Sequence, residues 1–339
     1  MAFTAKVDWL KMNKIDVVII GSGIAGITTA YYLQKNFPNL TYVIIEARSD
    51  LGGTWDQMNF PGVRSDTDMY TYGFSFNPWQ GSIIAQGRDI KAYLTDTANK
   101  FNIREHILFD TKVTSLSWSD SQWTARTSRK DFTSKYVICC TGSRDYTNPN
   151  FPKFKDENKY QGEIVHTQDW GNVEFKDKSV AIIGSGCTAV TMTPAIVKEA
   201  KKVTLIQRSA AWIVNIDGKE KSTRRYKTFE TLMDYFHSRL FKKSYKKMII
   251  ARYPYYNNTN VPSYDYWNQR PACSLDNDYF DAVKLNKVSV EHQEISNFEK
   301  NGIKLKNGKI IECDLTIMAT GLNAQLLGGI DILVNDKKM

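Results

Sequence analysis

A chain of 339 residues is longer than a single hydrophobic core usually serves, so two domains are expected. Hydrophobic residues at 42%, charged residues at 24% and only 9 prolines exclude disorder on a large scale. Much of the +9 net charge lies between residues 219 and 252, where eleven Lys or Arg face three acids. That pattern reads as a solvated basic face, and with no groove-reading motif nucleic acid is not an expected partner.

The cysteines, Cys139, Cys140, Cys187, Cys273 and Cys313, are odd in number and include no Cys-x-x-Cys. They point to a reducing compartment and no redox disulfide, with Cys139 and Cys140 on a buried strand. The start of the chain lacks a signal-like apolar region. No run approaches the ~20 apolar residues of a membrane helix, so a cytoplasmic protein without a transmembrane segment is expected. His106, His166, His237 and His292 have no ligand spacing with the cysteines, and no metal site is expected.

Along the chain, residues 1–14 are a polar lead-in. Residues 15–20 form a nearly continuous apolar run that predicts a buried strand. The run enters Gly21-Ser22-Gly23-Ile24-Ala25-Gly26, and a helical pattern follows to about Asn36. A second apolar strand, residues 42–45, ends at Glu46. A strand-rich stretch from about Phe109 to Tyr136 then closes on Thr141-Gly142. The opening architecture recurs: a strand over 178–183, the turn Gly184-Ser185-Gly186-Cys187-Thr188-Ala189, a helix to about Ala200, and a strand over 203–206. A helical and aromatic insertion spans about 217–268. Near the end, residues 315–319 close on a second Thr-Gly turn, Thr320-Gly321. Two strand–turn–helix–strand units with parallel strands predict an α/β protein with two Rossmann-like dinucleotide-binding domains.

In the first turn, Gly21 permits the tight bend, Gly23 lets the backbone approach a pyrophosphate, and Gly26 allows close helix–strand packing. The pyrophosphate is expected at the helix N-terminus, where free N–H groups and the macrodipole favour anions. Glu46, 25 residues past Gly21, stands where an acid accepts hydrogen bonds from ribose hydroxyls. Gly184, Gly186 and Ala189 repeat the turn, but Gln207-Arg208-Ser209 replaces the acid. A carboxylate there would repel a 2′-phosphate, whereas a guanidinium binds one with paired hydrogen bonds. FAD at the first site and NADPH at the second satisfy this contrast. The expected organisation is an FAD-binding domain over 1–150, an inserted NADPH-binding domain over 151–314, and a return to the FAD domain over 315–339.

The run Leu51-Gly52-Gly53-Thr54-Trp55-Asp56, with Asn59-Phe60-Pro61-Gly62-Val63-Arg64-Ser65-Asp66, resembles the flavin-proximal loop of Baeyer–Villiger monooxygenases. Those enzymes share a class with the flavin-containing monooxygenases. Tyr160-x-Gly162-x-x-x-His166-x-x-x-Trp170 resembles the fingerprint of that class. Gln207-Arg208-Ser209-x-x-Trp212, Arg270-Pro271-x-Cys273 and Ala319-Thr320-Gly321 follow in the family's order, so the resemblance covers residues 15–324. Phe60, Gly171 and Leu322 depart from the usual Tyr, Pro or Asp, and Phe. Family members also continue beyond the position of Met339, so the chain resembles a C-terminally shortened class B flavoprotein monooxygenase.

The resemblance implies that NADPH reduces FAD and that O2 then gives a flavin C4a-peroxide, which oxidises a small-molecule ketone. It implies cofactor contacts from Ala25 at the first turn and from Gly53, Thr54, Trp55 and Asp66 in the following loop. Val113 would touch adenine through its backbone, Thr141 and Gly142 would add cofactor contacts at the passage between domains, and Ser185, Thr188 and Ser209 would join the second site. Arg270 matches the family's active-site arginine, whose cation can stabilise a developing negative charge. Asp66 matches the acid that pairs with it. Within the fingerprint Tyr160, Gly162, His166 and Trp170, His166 would support a hinge between domains or serve as a hydrogen-bonded structural histidine. Alternatives are an N- or S-oxygenating flavin monooxygenase, an NADPH oxidase with little oxygenation, and a non-catalytic dinucleotide-binding scaffold.

Overall fold

The structure, a computed structural model, describes residues 9, 12, 14–218, 240, 246–247, 249–251, 255–256, 260–266 and 268–339. Most of the expected 217–268 insertion lies outside the described residues.

The first sheet has eight strands. Their order is Lys337–Lys338, Asp331–Val334, Val113–Ser119, Gln122–Thr127, Phe132–Cys139, Lys14–Ile20, Tyr42–Ile45 and Ile107–Leu108. Lys14–Ile20 sits between parallel neighbours, Phe132–Cys139 and Tyr42–Ile45. A strand covered on both faces needs apolar side chains at consecutive positions, which accounts for its unbroken run. Val17 and Ile19 enter a core with Ile27 of the helix Ile24–Asn36 and Ile90 and Leu94 of the helix Gly87–Lys100. Ile15, Val18 and Ile20 enter a second core, with Val113, Leu116 and Phe132. Phe132–Cys139 is interior in the sheet order, yet Tyr136 is 58% exposed and Cys139 and Cys140 are half-buried. The expectation of a fully buried strand there is corrected.

The second sheet is all parallel, in the order Val288–His292, Lys202–Gln207, Ser179–Ile183, Leu315–Met318, Glu163–His166. Val180 and Ile182 pack on the face covered by the helix Cys187–Ile196. Ala181 and Ile183 pack on the other face, against Phe298, Ile303 and Ile311 of an antiparallel three-stranded sheet.

The strand Leu315–Met318 corrects the expected domain boundary. A return to the first domain was expected from residue 315, but this strand lies inside the second sheet between Ser179–Ile183 and Glu163–His166. The crossing comes later, where Leu322–Ala324 pairs antiparallel with Arg144–Pro149. Asp331–Val334 then joins the first sheet, parallel to Val113–Ser119. A strand buried on both faces has the same apolar signature in either sheet, so pattern alone does not assign it.

One loop of the first unit is seated in the second. Met58 and Phe60 are buried in the same core as Val190, Ile196 and Trp212. Gly62 has φ +82°, and a Cβ there would lie 2.3 Å from the carbonyl oxygen of Thr191. Among the described residues, no helix is long and apolar enough to cross a membrane.

Gly308 also has positive φ, +87°, but nothing lies within 4 Å of its Cβ position. Gly62→Ala combines strain with a clash and should cost about 1–3 kcal/mol of stability, while Gly308→Ala pays for strain alone and should cost less. Urea unfolding of the two variants checks this; equal losses would contradict the seating of the loop.

Candidate cofactor sites and active site

The first glycine turn begins where Gly21, at φ +100°, leaves its strand and donates to the Ile45 carbonyl at 2.9 Å. At Gly26 a Cβ would stand 2.0 Å from the carbonyl oxygen of Gly21, so the helix closes on the turn only without a side chain. The helix Ile24–Asn36 starts at Gly23 with no side-chain cap and no acid in its first turn. Its leading N–H groups are therefore available to an anion. Gly53 Cα lies only 3.6 Å from the Cβ position of Gly23, so two bare backbones border the cleft; Ala25 is exposed beside it.

Glu46 is buried, 6% exposed. Its Oε2 accepts from the Ser22 N–H at 2.8 Å and the Ser22 hydroxyl at 2.7 Å, and its Oε1 accepts from the Arg48 N–H at 2.9 Å. An ionised carboxylate has about four acceptor positions, so capacity remains for a ribose hydroxyl. Ser22 and Arg48 escaped the sequence reading; the only signal was the position of Ser22 inside the turn. Thr54 Oγ1 meets the Tyr146 hydroxyl at 2.6 Å, and Trp55 Nε1 donates to the Tyr72 hydroxyl at 3.0 Å. Both side chains are thereby fixed within the loop. Lys91 ties this loop to its helix through Asp50 at 3.0 Å and Asp56 at 2.6 Å. Val113 is buried at the head of its strand opposite Thr127. Gly142 has φ +73°, and Thr141 donates to its carbonyl at 3.5 Å.

The second turn repeats the backbone plan. Gly184 N–H donates to the Ile206 carbonyl at 3.0 Å. The helix Cys187–Ile196 starts at Gly186, again without a side-chain cap or a first-turn acid. Ala189 is fully buried, Ser185 and Thr188 are half-buried, and the Cβ position of Gly186 faces open space. Arg208 and Ser209 are exposed just past the strand Lys202–Gln207. The parallel register sets Gln207 beside His292, so the chain at Gln293 and Glu294 runs out next to Arg208 and Ser209. Glu294 forms an ion pair with Lys306, whose own N–H donates to the Glu294 carbonyl at 2.9 Å. The ammonium of Lys306, with the charge of Arg208, holds the Glu294 carboxyl below its usual range. No motif marks Glu294 or Lys306; only the strand pairing brings them to this edge.

Asp66 and Arg270 come to one place between the units without pairing. Arg270 is exposed and donates through Nη2 to the Thr67 hydroxyl at 3.0 Å. No ion pair joins it to Asp66 among the described residues, and Oδ1 of Asp66 is buried without a partner. The direct pair expected from the resemblance is corrected to a contact one residue along. Burial, then the nearby Asp66 carboxylate, pushes the thiols of Cys187 and Cys273 up, Cys273 to about 11. Cys187 opens the second glycine-turn helix, so the Asp66 carboxylate acts on that helix start electrostatically.

The fingerprint residues are interior. The Tyr160 hydroxyl donates to the Cys313 carbonyl at 3.0 Å and accepts from Thr316 at 3.2 Å. At Gly162 a Cβ would stand 2.3 Å from the Tyr160 ring. Trp170 is buried in the second core. His166 ends the edge strand Glu163–His166, is 3% exposed, and accepts through Nδ1 from the Gln168 N–H at 3.1 Å. The Gln168 carbonyl accepts from Gln57 at 3.0 Å, which ties the first unit's loop to the fingerprint.

A family model described as pyridine nucleotide-disulphide oxidoreductase matches residues 18–249. The probable FAD-binding monooxygenase AlmA of an Acinetobacter species is 35% identical over 96% of this chain and 72% of its own length. The FAD-containing monooxygenase EthA of Mycobacterium tuberculosis is 34% identical over 96% of this chain and 73% of its own. The chain belongs to the class B flavoprotein monooxygenases. Among solved structures, an open form of cyclohexanone monooxygenase is similar with a TM-score of 0.80 at 21% identity, covering 95% of this chain and 76% of that one. A complex of OTEMO with FAD and NADP is similar with a TM-score of 0.77 at 21% identity, covering 96% of this chain and 75% of that one. These likenesses show the two-unit fold.

In this monooxygenase, burial lowers the proton affinity of His166, and likewise of His106 and His292. Each binds its proton less well folded than at the ordinary value of 6.5. Their contribution to stability is therefore complete above pH 6.5 and is lost as pH falls through the lower folded values. The thermal midpoint should drop between about pH 7.5 and about pH 5.5, and His166→Gln should flatten that slope. A pH-independent midpoint would contradict the burial of these neutral rings.

Proposed function

We propose that this chain binds FAD at the Gly21–Gly26 turn and NADPH at the Gly184–Ala189 turn, and uses O2 to convert a small-molecule ketone to an ester or lactone. The observation that carries the reading is the contrast between the two strand ends. The first presents a buried carboxylate, Glu46, already oriented by Ser22 and Arg48. The second presents an exposed guanidinium, Arg208, with Ser209 beside it. An oriented carboxylate selects a ribose with free hydroxyls, and an exposed guanidinium selects a 2′-phosphate. The names of AlmA and EthA, and the FAD and NADP of the OTEMO complex, support the same cofactor pair.

The residues fit both groups. Each helix N-terminus is uncapped, and at the first turn Gly23 and Gly53 keep side chains out of the space beside it. FAD, when bound, supplies the redox chemistry and the activation of oxygen. The protein's part is orientation and charge. Arg270, a permanent cation beside the flavin-proximal loop, stabilises negative charge that develops on the substrate oxygen. Thr67 accepts one of its N–H groups and restricts its rotamers. Asp66 supplies a second, anionic wall near the helix that opens the NADPH site. In this reading the reacting partners are a small molecule and O2.

Arg208→Ala should weaken NADPH binding by about tenfold to a hundredfold, the worth of a charge-assisted bidentate contact, and leave NADH nearly unchanged. Titration of the purified protein with both nucleotides measures this; equal losses would remove Arg208 from the phosphate site. Arg270→Ala should keep flavin bound and lower ketone oxygenation by about a hundredfold or more. Parallel assays on a cyclic ketone and a thioether, with peroxide released per NADPH consumed, separate ketone oxygenation from the other outcomes. Turnover of the thioether alone would favour N- or S-oxygenation instead.

A further inference from the structure

Arg64 is a buried charge that neither the nucleotide turns nor the proposed chemistry uses. Its side chain is 4% exposed and pairs through Nη1 with the Asp278 carboxylate. Nη2 donates to the Cys273 carbonyl at 2.9 Å and reaches Asp278 Oδ1 at 3.4 Å. Asp278 in turn accepts from the Ser274 hydroxyl at 3.0 Å, the Leu275 N–H at 2.9 Å and the Tyr279 N–H at 2.7 Å. Burying a guanidinium is costly unless it is paired and hydrogen-bonded, so the site must repay that cost through geometry. The pair joins two chain segments far apart in sequence: the flavin-proximal loop and the strand Ala272–Leu275 with the helix that follows it.

The contacts between these segments run in opposite directions. Arg64 meets Cys273, the Cys273 thiol approaches the Asp66 carbonyl at 3.8 Å, and Thr67 meets Arg270. Three residues of extended chain span about 10 Å, so the anchor at Arg64 lies one short segment from the Arg270 contact. The loop is held from behind as well: Ser65 N–H donates to the Ala85 carbonyl at 2.9 Å and Gly87 N–H to the Val63 carbonyl at 2.8 Å. A lysine would keep the charge but could not span Asp278 and the Cys273 carbonyl with one planar fork.

We propose that Arg64 and Asp278 are positioning residues: the clamp between buried Arg64 and half-buried Asp278 fixes the Arg270 guanidinium against the flavin-proximal loop. This rests on the role proposed above for Arg270 in oxygenation. The clamp touches neither glycine turn, so the proposal expects flavin reduction to be spared.

The test compares Asp278→Asn and Arg64→Lys with the unaltered holoprotein and with Arg270→Ala. Asn at 278 keeps Oδ1 as the acceptor for Ser274, Leu275 and Tyr279, while its amide N–H groups replace the Oδ2 that accepts from Arg64 Nη1, so the clamp loses both its charge and that acceptor. Flavin reduction by NADPH without oxygen should stay within about twofold, while product formed per NADPH from a cyclic ketone falls about tenfold and peroxide rises to match. A second readout needs no turnover. Labelling of Cys273 by a thiol reagent, followed by peptide mass analysis with Cys139 as internal reference, should accelerate about tenfold as the clamp loosens. Unchanged Cys273 labelling, or unchanged coupling in both variants, overturns the proposal. Loss of flavin reduction in step with coupling also overturns it, since that marks general damage. Full coupling in Arg270→Ala would instead defeat the reading of Arg270; faster labelling of Cys273 alongside it would leave the pair a clamp without a positioning role.

Discussion

The structure depends on the burial of one loop of the first unit inside the second. Met58 and Phe60 are 8% and 7% exposed and share a core with the helix that opens the second glycine turn. Burying side chains of this size contributes about 1.5–3 kcal/mol each, before any polar contact is counted. Gly62 lets the backbone come against Thr191, and Arg64 brings a charge into the same interface with its partner and a carbonyl already in place. The apolar contacts supply the attraction, and the directional ones fix the register. Asp66 and Thr67 face Cys273 and Arg270 because the residues just before them are immobilised.

The two glycine turns share one backbone plan, and the proposed cofactor pair rests on how they differ. Both helices begin uncapped, both first turns lack an acid, and both strands lead straight into the turn. What differs is the edge. Glu46 is drawn inward by three donors, whereas Arg208 stays in solvent beside an acid, Glu294, that is already paired with Lys306. A phosphate arriving at Arg208 would meet a cationic surface with one local competitor. The second strand end is thus less preorganised than the first.

The fingerprint takes on a different character in three dimensions. Tyr160, Gly162 and Trp170 pack within the second unit, and His166, which the resemblance places at a hinge between domains, closes an edge strand of the second sheet. Such residues set where the sheet ends and where the crossing strands Arg144–Pro149 and Leu322–Ala324 begin. The contact between Gln57 and the Gln168 carbonyl links that edge to the flavin-proximal loop.

Much of this was legible from residue order. The apolar runs, the glycines before helices, and the acid or arginine at the strand ends are local signals, and local backbone chemistry decides them. The sequence by itself determined two nucleotide-binding units, their order, and the charge each offers an adenosine. Tertiary structure alone decided that Leu315–Met318 belongs to the second sheet, that Arg270 meets Thr67 and not Asp66, and that Arg64 is clamped by Asp278. These are choices between partners far apart in the chain, and a side chain's type states only that it can pair. Which partner it finds depends on strand register and on how two cores share a loop.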